Sequence, residues 1–436
     1  MAKLKFAPRV SASGLAVVLL FGSAHVLFAQ DAGKYIVQFR ADVGPGARRA
    51  AVENAAAAVG VVYTGVSAAS VRVPNERALR ALRNRRDVVS VIPDRAVFAD
   101  QEATAKSGGS NKPGGGGSPQ AQVIPAGVAR VGVPQSGSNG SGIGVAVLDT
   151  GVDLTHPDLA GTVNAFSAFG PTCMDDNGHG THVAGIIAAH NNTIDVVGVA
   201  PAAQVYCVKV LDGSGSGSDE SLMAGLDWVL SNHALVQPAI RVINMSLGRP
   251  GTVDDNPAMR DLFAALEAVG VSIVASAGND ASADVSGQIP AAYPQVAAIA
   301  STTAGGGSNQ CRFLSGPVAA DTASYFTTDG AHVLISAPGE EREDVSRSCL
   351  IQSVGILSTK LGGGTTRMSG TSMASPHVAG VAARYYQQNP SYSPSDVRAW
   401  IVLDAARPGV APLNSPGSQY TFDGVREGIA QAPPAP

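Results

Sequence analysis

Short, mostly apolar runs recur along the chain beyond residue 140, each ended by small or polar residues. Val145–Leu148, Val205–Val210, Val242–Met245, Ser272–Ala275 and Val296–Ala300 each read as a buried strand. Between them the apolar spacing lengthens. Helices are expected to start near His179, Asp219, Pro257 and Ser372, with a closing helix over Pro394–Asp404. Strands without a polar face that alternate with helices predict an α/β fold, a mostly parallel sheet with helices on both faces. Reactive groups in such a sheet belong at the carboxyl ends of strands.

The chain before this region is patterned differently. Lys34–Arg40 alternates as a strand, Gly46–Val59 is Ala-rich and helical, and Tyr63–Val73 is again strand-like. Asn75–Asn84 is a short amphipathic helix with Leu79 and Leu82 inward, and Val88–Phe98 closes the unit as one strand. This order predicts a small ferredoxin-like α+β sandwich over residues 33–100. Residues 101–120, rich in Gly, Ser and Pro, predict a flexible linker that is easily nicked. Residues 1–29 carry Lys3, Lys5 and Arg9 ahead of an apolar run and end at Ala29, the pattern of a signal peptide. The run is short for a membrane span, a retained anchor being the alternative, and no later segment could cross a bilayer. The remaining unit runs over residues 121–432.

Composition sharpens this division. Only 15% of residues are charged while 45% are hydrophobic, which suits a large core packed with small side chains. A net charge of −4 points to no nucleic-acid partner. That charge is unevenly spread. Residues 33–99 hold 11 Lys/Arg against 5 Asp/Glu, whereas residues 121–436 hold 14 against 26. A basic unit ahead of an acidic one favours mutual attraction. The four cysteines fit an oxidising compartment and allow three pairings.

The candidate chemistry starts at Gly370-Thr371-Ser372-Met373-Ala374-Ser375-Pro376-His377-Val378-Ala379-Gly380. It carries the Ser372 hydroxyl into a helix start, where free N–H groups favour developing negative charge. A lone serine there is more often a cap. A nucleophile also needs a base, an acid to orient that base and an oxyanion donor. Asn177-Gly178-His179-Gly180-Thr181-His182 offers the base, and Gly144-Val145-Ala146-Val147-Leu148-Asp149-Thr150-Gly151 offers the acid.

Together these motifs resemble the subtilisin-like serine peptidase family, over roughly residues 121–432. The resemblance implies a triad of Asp149, His179 and Ser372, in the chain order for which subtilisin is itself the standard example. It implies that Asn279 supplies the oxyanion amide. Ser246, Leu247 and Gly248, with Ala277 and Gly278, would bind substrate, and Gly213–Gly217 would form the other rail of the cleft. Asp153 would be a turn or surface residue, and His182 and His377 structural. Gln288 and Asp280 fall near the specificity pocket, so polar or basic side chains before the cut bond are expected to be tolerated. The unit 33–100 resembles the inhibitory propeptide of such enzymes. The implied protein is a secreted, monomeric serine endopeptidase of broad specificity, made as a zymogen, acting on proteins and peptides, with its own propeptide as intramolecular inhibitor. A non-catalytic relative would show a degenerate triad, and all four key positions are present.

The resemblance also implies one structural Ca2+. Its ligands would be Gln122, Asp158, the Asn192 side chain and the carbonyls of His190, Ile194 and Val196, oxygen donors of the kind calcium takes. Leu334 stands where a weaker cation site would need an acid. Cys311 and Cys349 fall in stretches extra to the family pattern, which favours the pairs Cys173–Cys207 and Cys311–Cys349.

Overall fold

The computed structural model describes residues 33–100, 121–133, 136–406 and 427–434. The signal segment and the linker fall outside the described residues.

The N-terminal unit folds as β1 (Gly33–Phe39), α1 (Pro45–Asn54), β2 (Ala58–Val62), β3 (Ala68–Val73), α2 (Glu76–Arg83) and β4 (Val88–Pro93). Its antiparallel sheet has the order β2-β3-β1-β4. Val37, Phe39, Val52, Val71, Leu79 and Leu82 form its core. Two expectations are corrected here. The first helix stops at Asn54, because Ala56 turns the chain at φ 58° and the valines that follow pack as a strand. The closing strand is two strands. Pro93 has no N–H to extend a ladder, and after it β5 (Ala96–Ala99) leaves this sheet altogether.

The larger unit follows as α3 (Ala126–Arg130), β6 (Gly144–Asp149), β7 (Val163–Ser167), α4 (His179–Ala188), β8 (Gln204–Lys209), β9 (Ser216–Ser218) and α5 (Asp219–Asn232). Then come β10 (Ile240–Met245), β11 (Leu247–Pro250), α6 (Pro257–Ala268), β12 (Ser272–Ser276), β13 (Gln288–Ile289) and β14 (Val296–Thr303). The last elements are β15 (Val333–Val345), β16 (Ile351–Thr359), β17 (Thr365–Met368), α7 (Thr371–Gln388) and α8 (Pro394–Leu403). Nine strands form one sheet in the order β17-β16-β15-β14-β12-β10-β6-β8-β7, parallel from β7 to β15 and antiparallel beyond. Strand β6 explains the uninterrupted apolar runs. Val145 and Val147 face a core shared with α4 and α7, whereas Ala146 and Leu148 face one shared with α5 and α6.

The antiparallel extension β15–β17 is not legible in the apolar pattern, because β15 runs through the charged stretch Glu340-Glu341-Arg342-Glu343-Asp344. Disulfides join Cys173 to Cys207 and Cys311 to Cys349, the expected pairs. No helix among the described residues is long and apolar enough to cross a membrane.

The two units share an interface. Ile36, Tyr63, Ala68 and Val97 of the first join the core of α5 and α6. Lys34 pairs with Glu220 at 2.9 Å and Gln38 with Asp261 at 2.8 Å. Asp227 accepts the Thr64 and Gly65 N–H groups. Asp94 accepts the Glu220 N–H in the first turn of α5 (2.8 Å), where a carboxylate meets free N–H groups and the positive end of the helix dipole. Strand β5 lies inside a third sheet, ordered β13-β11-β5-β9.

Candidate active site

Strand β6 delivers Asp149, fully buried, at the carboxyl end of the parallel sheet. Helix α4 delivers His179 at its first residue. Between them Asp175 organises the backbone: it accepts the N–H groups of Asn177, Gly178 and Thr181 and the Thr150 hydroxyl. Gly180 has to be glycine, since an added Cβ would sit 2.1 Å from the Gly151 carbonyl oxygen and 3.1 Å from Asp149. The result is a 2.8 Å hydrogen bond from His179 Nδ1 to Asp149 Oδ1. His179 Nε2 is buried and has no partner among the described residues. Burial opposes protonation of this ring. The charge and hydrogen bond of Asp149, with the charges of Asp100 and Asp175, outweigh it and raise its pKa above the usual histidine value.

Helix α7 brings in Ser372 at its second residue, buried. Its hydroxyl donates to the Ser246 carbonyl at 3.2 Å, and the Ser246 hydroxyl donates back to the Ser372 carbonyl at 2.8 Å. This exchange ties the start of α7 to the end of β10. Asn279 follows β12 through Gly278, whose φ of 110° favours glycine. Thr371 donates both its N–H (2.9 Å) and its hydroxyl (2.8 Å) to Asn279 Oδ1. Thr371 therefore fixes the oxygen end of that amide and with it the orientation of the Asn279 side chain.

The expected bystanders are elsewhere. His182 Nε2 faces the Ile356 carbonyl at 3.1 Å, and burial pulls the ring's pKa down to about 3. His377 Nδ1 faces the Met373 carbonyl at 2.7 Å and is pulled down to about 4 by burial. Asp153 is in a turn, as expected, but is buried rather than on the surface, taking the Thr155 and Gly362 N–H groups.

The cleft is an edge-pairing site. Leu247 and Gly248 pair with Ala99 and Phe98, and Ser216–Ser218 pair with Phe98, Val97 and Ala96 on the other side. The segment Gly213–Gly217 thus leads into the second rail. Ala277 and Gly278 run beside Thr371, whose hydroxyl accepts the Gly278 N–H at 3.2 Å. Gln288 lies by Gly278, within 3.5 Å of where a Cβ would sit, and Asp280 caps the Ser282 N–H. Sequence reading missed Asp175, Thr371 and Asp100. Asp175 stood one residue ahead of Asp176-Asn177-Gly178, a turn signal that could have found it.

Away from the cleft, four oxygens converge on the Gln122 amide nitrogen. They are the carbonyls of His190 (2.7 Å), Ile194 (3.3 Å) and Val196 (3.2 Å) and Asn192 Oδ1 (3.2 Å). Asp158 stands behind them, accepting from Asn192 Nδ2 (2.8 Å) and the Val196 N–H (3.1 Å). Burial raises the Asp158 pKa, against hydrogen bonds from Val196 and Asn192. All six residues expected at one site are therefore in one place.

An acid hydrogen-bonded to a buried imidazole at the end of a parallel sheet, with a serine hydroxyl at a helix start, supplies the groups that a serine hydrolase needs. Residues 140–422 match the model of the subtilase family. Over 301 residues the chain is 38% identical to Subtilisin Savinase of Lederbergia lenta, covering 68% of this chain and 97% of that one. It is 39% identical over 282 residues to M-protease of Shouchella clausii (strain KSM-K16), covering 64% of this chain and 63% of the relative's length. The structure resembles that of a cold adapted subtilisin-like serine proteinase, with a TM-score of 0.53, 30% identity and coverage of 68% of this chain and 91% of that one. The chain belongs to the subtilase family, and its class is that of a hydrolase, a subtilisin-like serine endopeptidase.

Proposed function

We propose that this chain is the precursor of an exported serine endopeptidase that cuts peptide bonds through an acyl-enzyme on Ser372. The observation that carries the reading is the Asp149–His179 hydrogen bond beside an imidazole Nε2 with no partner among the described residues. Turning the Ser372 hydroxyl from the Ser246 carbonyl to Nε2 lets His179 take its proton as Oγ attacks the substrate carbonyl. Asp149 holds the ring and stabilises the imidazolium. The Asn279 NH₂ and the Ser372 N–H receive the oxyanion, with Asn279 pre-aimed by the two donors of Thr371. His179 then protonates the leaving amine, and water repeats the sequence to free the acid.

The N-terminal unit is the inhibitor. Its strand β5 fills the cleft between β9 and β11, the position an extended substrate would take. Substrate recognition through main-chain pairing supports broad specificity.

The residues around Gln122 fit a calcium ion. A hard cation prefers oxygen donors, and an N–H group drawn by four oxygens stands where such a cation would be held. Rotating the amide turns Gln122 Oε1 inward as a further donor, and Asp158 supplies the negative charge. The ion would tie the segment at Gln122 to the loop after α4, a structural role only. The signal-like start and the two disulfides support export.

Labelling of the mature protein by a fluorophosphonate, lost in Ser372→Ala, tests the enzyme. The same variant is expected to accumulate as uncut precursor. Normal maturation of Ser372→Ala would show that another protease does the processing.

A further inference from the structure

The residue following β5, Asp100, has so far figured only as a charge near His179. Asp100 donates its N–H to the Ser246 carbonyl at 3.4 Å. That carbonyl also receives the Ser372 hydroxyl, at 3.2 Å. One acceptor therefore holds both the nucleophile and the amide nitrogen of Asp100. The carbonyl carbon of Asp100 is two bonds from that nitrogen.

The side chain of Asp100 continues the argument. Its carboxylate accepts the Ser276 hydroxyl, and Oδ1 lies 3.5 Å from where a Cβ on Gly248 would be. Ser276 ends β12, one residue before Ala277 and Gly278. The carboxyl also feels the charges of His179, which lowers its pKa, and of Asp149, which raises it. Burial pushes its pKa up to about 6, against the hydrogen bond from Ser276. The hydrogen bond that the pocket gives this acid comes from the Ser276 hydroxyl.

We propose that the precursor cuts itself after Asp100, and that Ser276 is a specificity-determining residue that receives a short acidic or amide side chain there. The proposal rests on the endopeptidase reading above. The chemistry balances with water alone. Ser372 Oγ bonds to the Asp100 carbonyl carbon as its proton passes to His179. The bond to the Gln101 nitrogen breaks and His179 protonates that amine. Water then splits the Asp100 ester, restoring the Ser372 hydroxyl and leaving the carboxyl terminus of Asp100 in the cleft.

This differs from the specificity expected from Gln288 and Asp280. Those residues suggested basic or general polar side chains, whereas the chain's own segment presents an acid to Ser276.

The test uses the full chain. After expression, mass spectrometry of the released N-terminal fragment is expected to give a carboxyl terminus at Asp100. A set of peptides differing only before the cut bond, with Asp, Asn, Leu or Lys, is then compared. Ser276→Ala is expected to lower kcat/KM for Asp and Asn relative to Leu by roughly tenfold, as for the loss of one hydrogen bond. Ser276→Thr, which keeps the hydroxyl, should restore much of that ratio. A merely structural role for Ser276 would lower all four substrates together, and that outcome overturns the assignment. A fragment ending within residues 101–120, from a chain that still labels with fluorophosphonate, overturns the cut after Asp100 and leaves the endopeptidase reading intact. A chain that neither labels nor cuts itself overturns both.

Discussion

At the scale of single residues, the site separates groups that react from groups that aim them. Asn279 is useful because Thr371 occupies its oxygen twice. Asn279→Ala should therefore cost about 10²–10³ in kcat with little change in KM, the size found when this donor was removed from a subtilisin, measured on a soluble peptide. His179 carries a pH signature. Its pKa is raised in the precursor, with Asp100 among the charges that raise it. Only the neutral ring can act as base, so activity falls as pH drops through that value. Asp100→Asn removes one of those charges without uncovering the ring. In uncut Ser372→Ala the further change Asp100→Asn should then lower the His179 titration midpoint, read by NMR. An unchanged or higher midpoint would contradict the placement of Asp100.

Among the elements, β15 departs furthest from the apolar rule. It carries Glu340 and Glu343, both fully buried beneath the extra hairpin. Glu340 accepts the Ser353 hydroxyl and Glu343 accepts the Tyr325 N–H, while one oxygen of each has no partner among the described residues. Burial raises both pKa values, and for Glu340 the neighbouring Glu343 adds to the rise. A carboxyl raised in the folded state stabilises fully below its unfolded pKa and loses that contribution as pH climbs through the folded value. Glu340→Gln should thus flatten the fall of Tm as pH rises above about 4.3, the unfolded carboxylate value, since it removes a group whose folded pKa is raised. Calorimetry across that range checks it; parallel curves for the two proteins would mean the pair does not titrate with folding.

For the whole molecule, the Gln122 site and the N-terminal unit are both long-range ties. The site joins Gln122 to residues about seventy positions later. With calcium at a hundred times its Kd, the folded state gains about 2.7 kcal/mol, so excess chelator should lower Tm by several degrees. Gln122→Ala should make Tm less sensitive to added calcium. An equal calcium response in both proteins would rule the site out.

Much was readable from the chain alone. The parallel strands were legible because burial on both faces leaves them mostly apolar, and Asp149, His179 and Ser372 were legible because each stands at the end of such a strand or the start of a helix. What needed three dimensions involves pairing between distant segments. Pro93 ends the first sheet locally, but nothing local tells Ala96–Ala99 which edges to join, because they lie more than a hundred residues on. Nor does local pattern reveal a strand through Glu340 and Glu343, whose charges read as solvent-facing until the fold removes water from them. Asp100 belongs with these: the sequence reads it as the last residue of the N-terminal unit, and only the shared Ser246 carbonyl sets it beside Ser372. Periodicity records which side of an element is buried, and it carries no record of what that side meets.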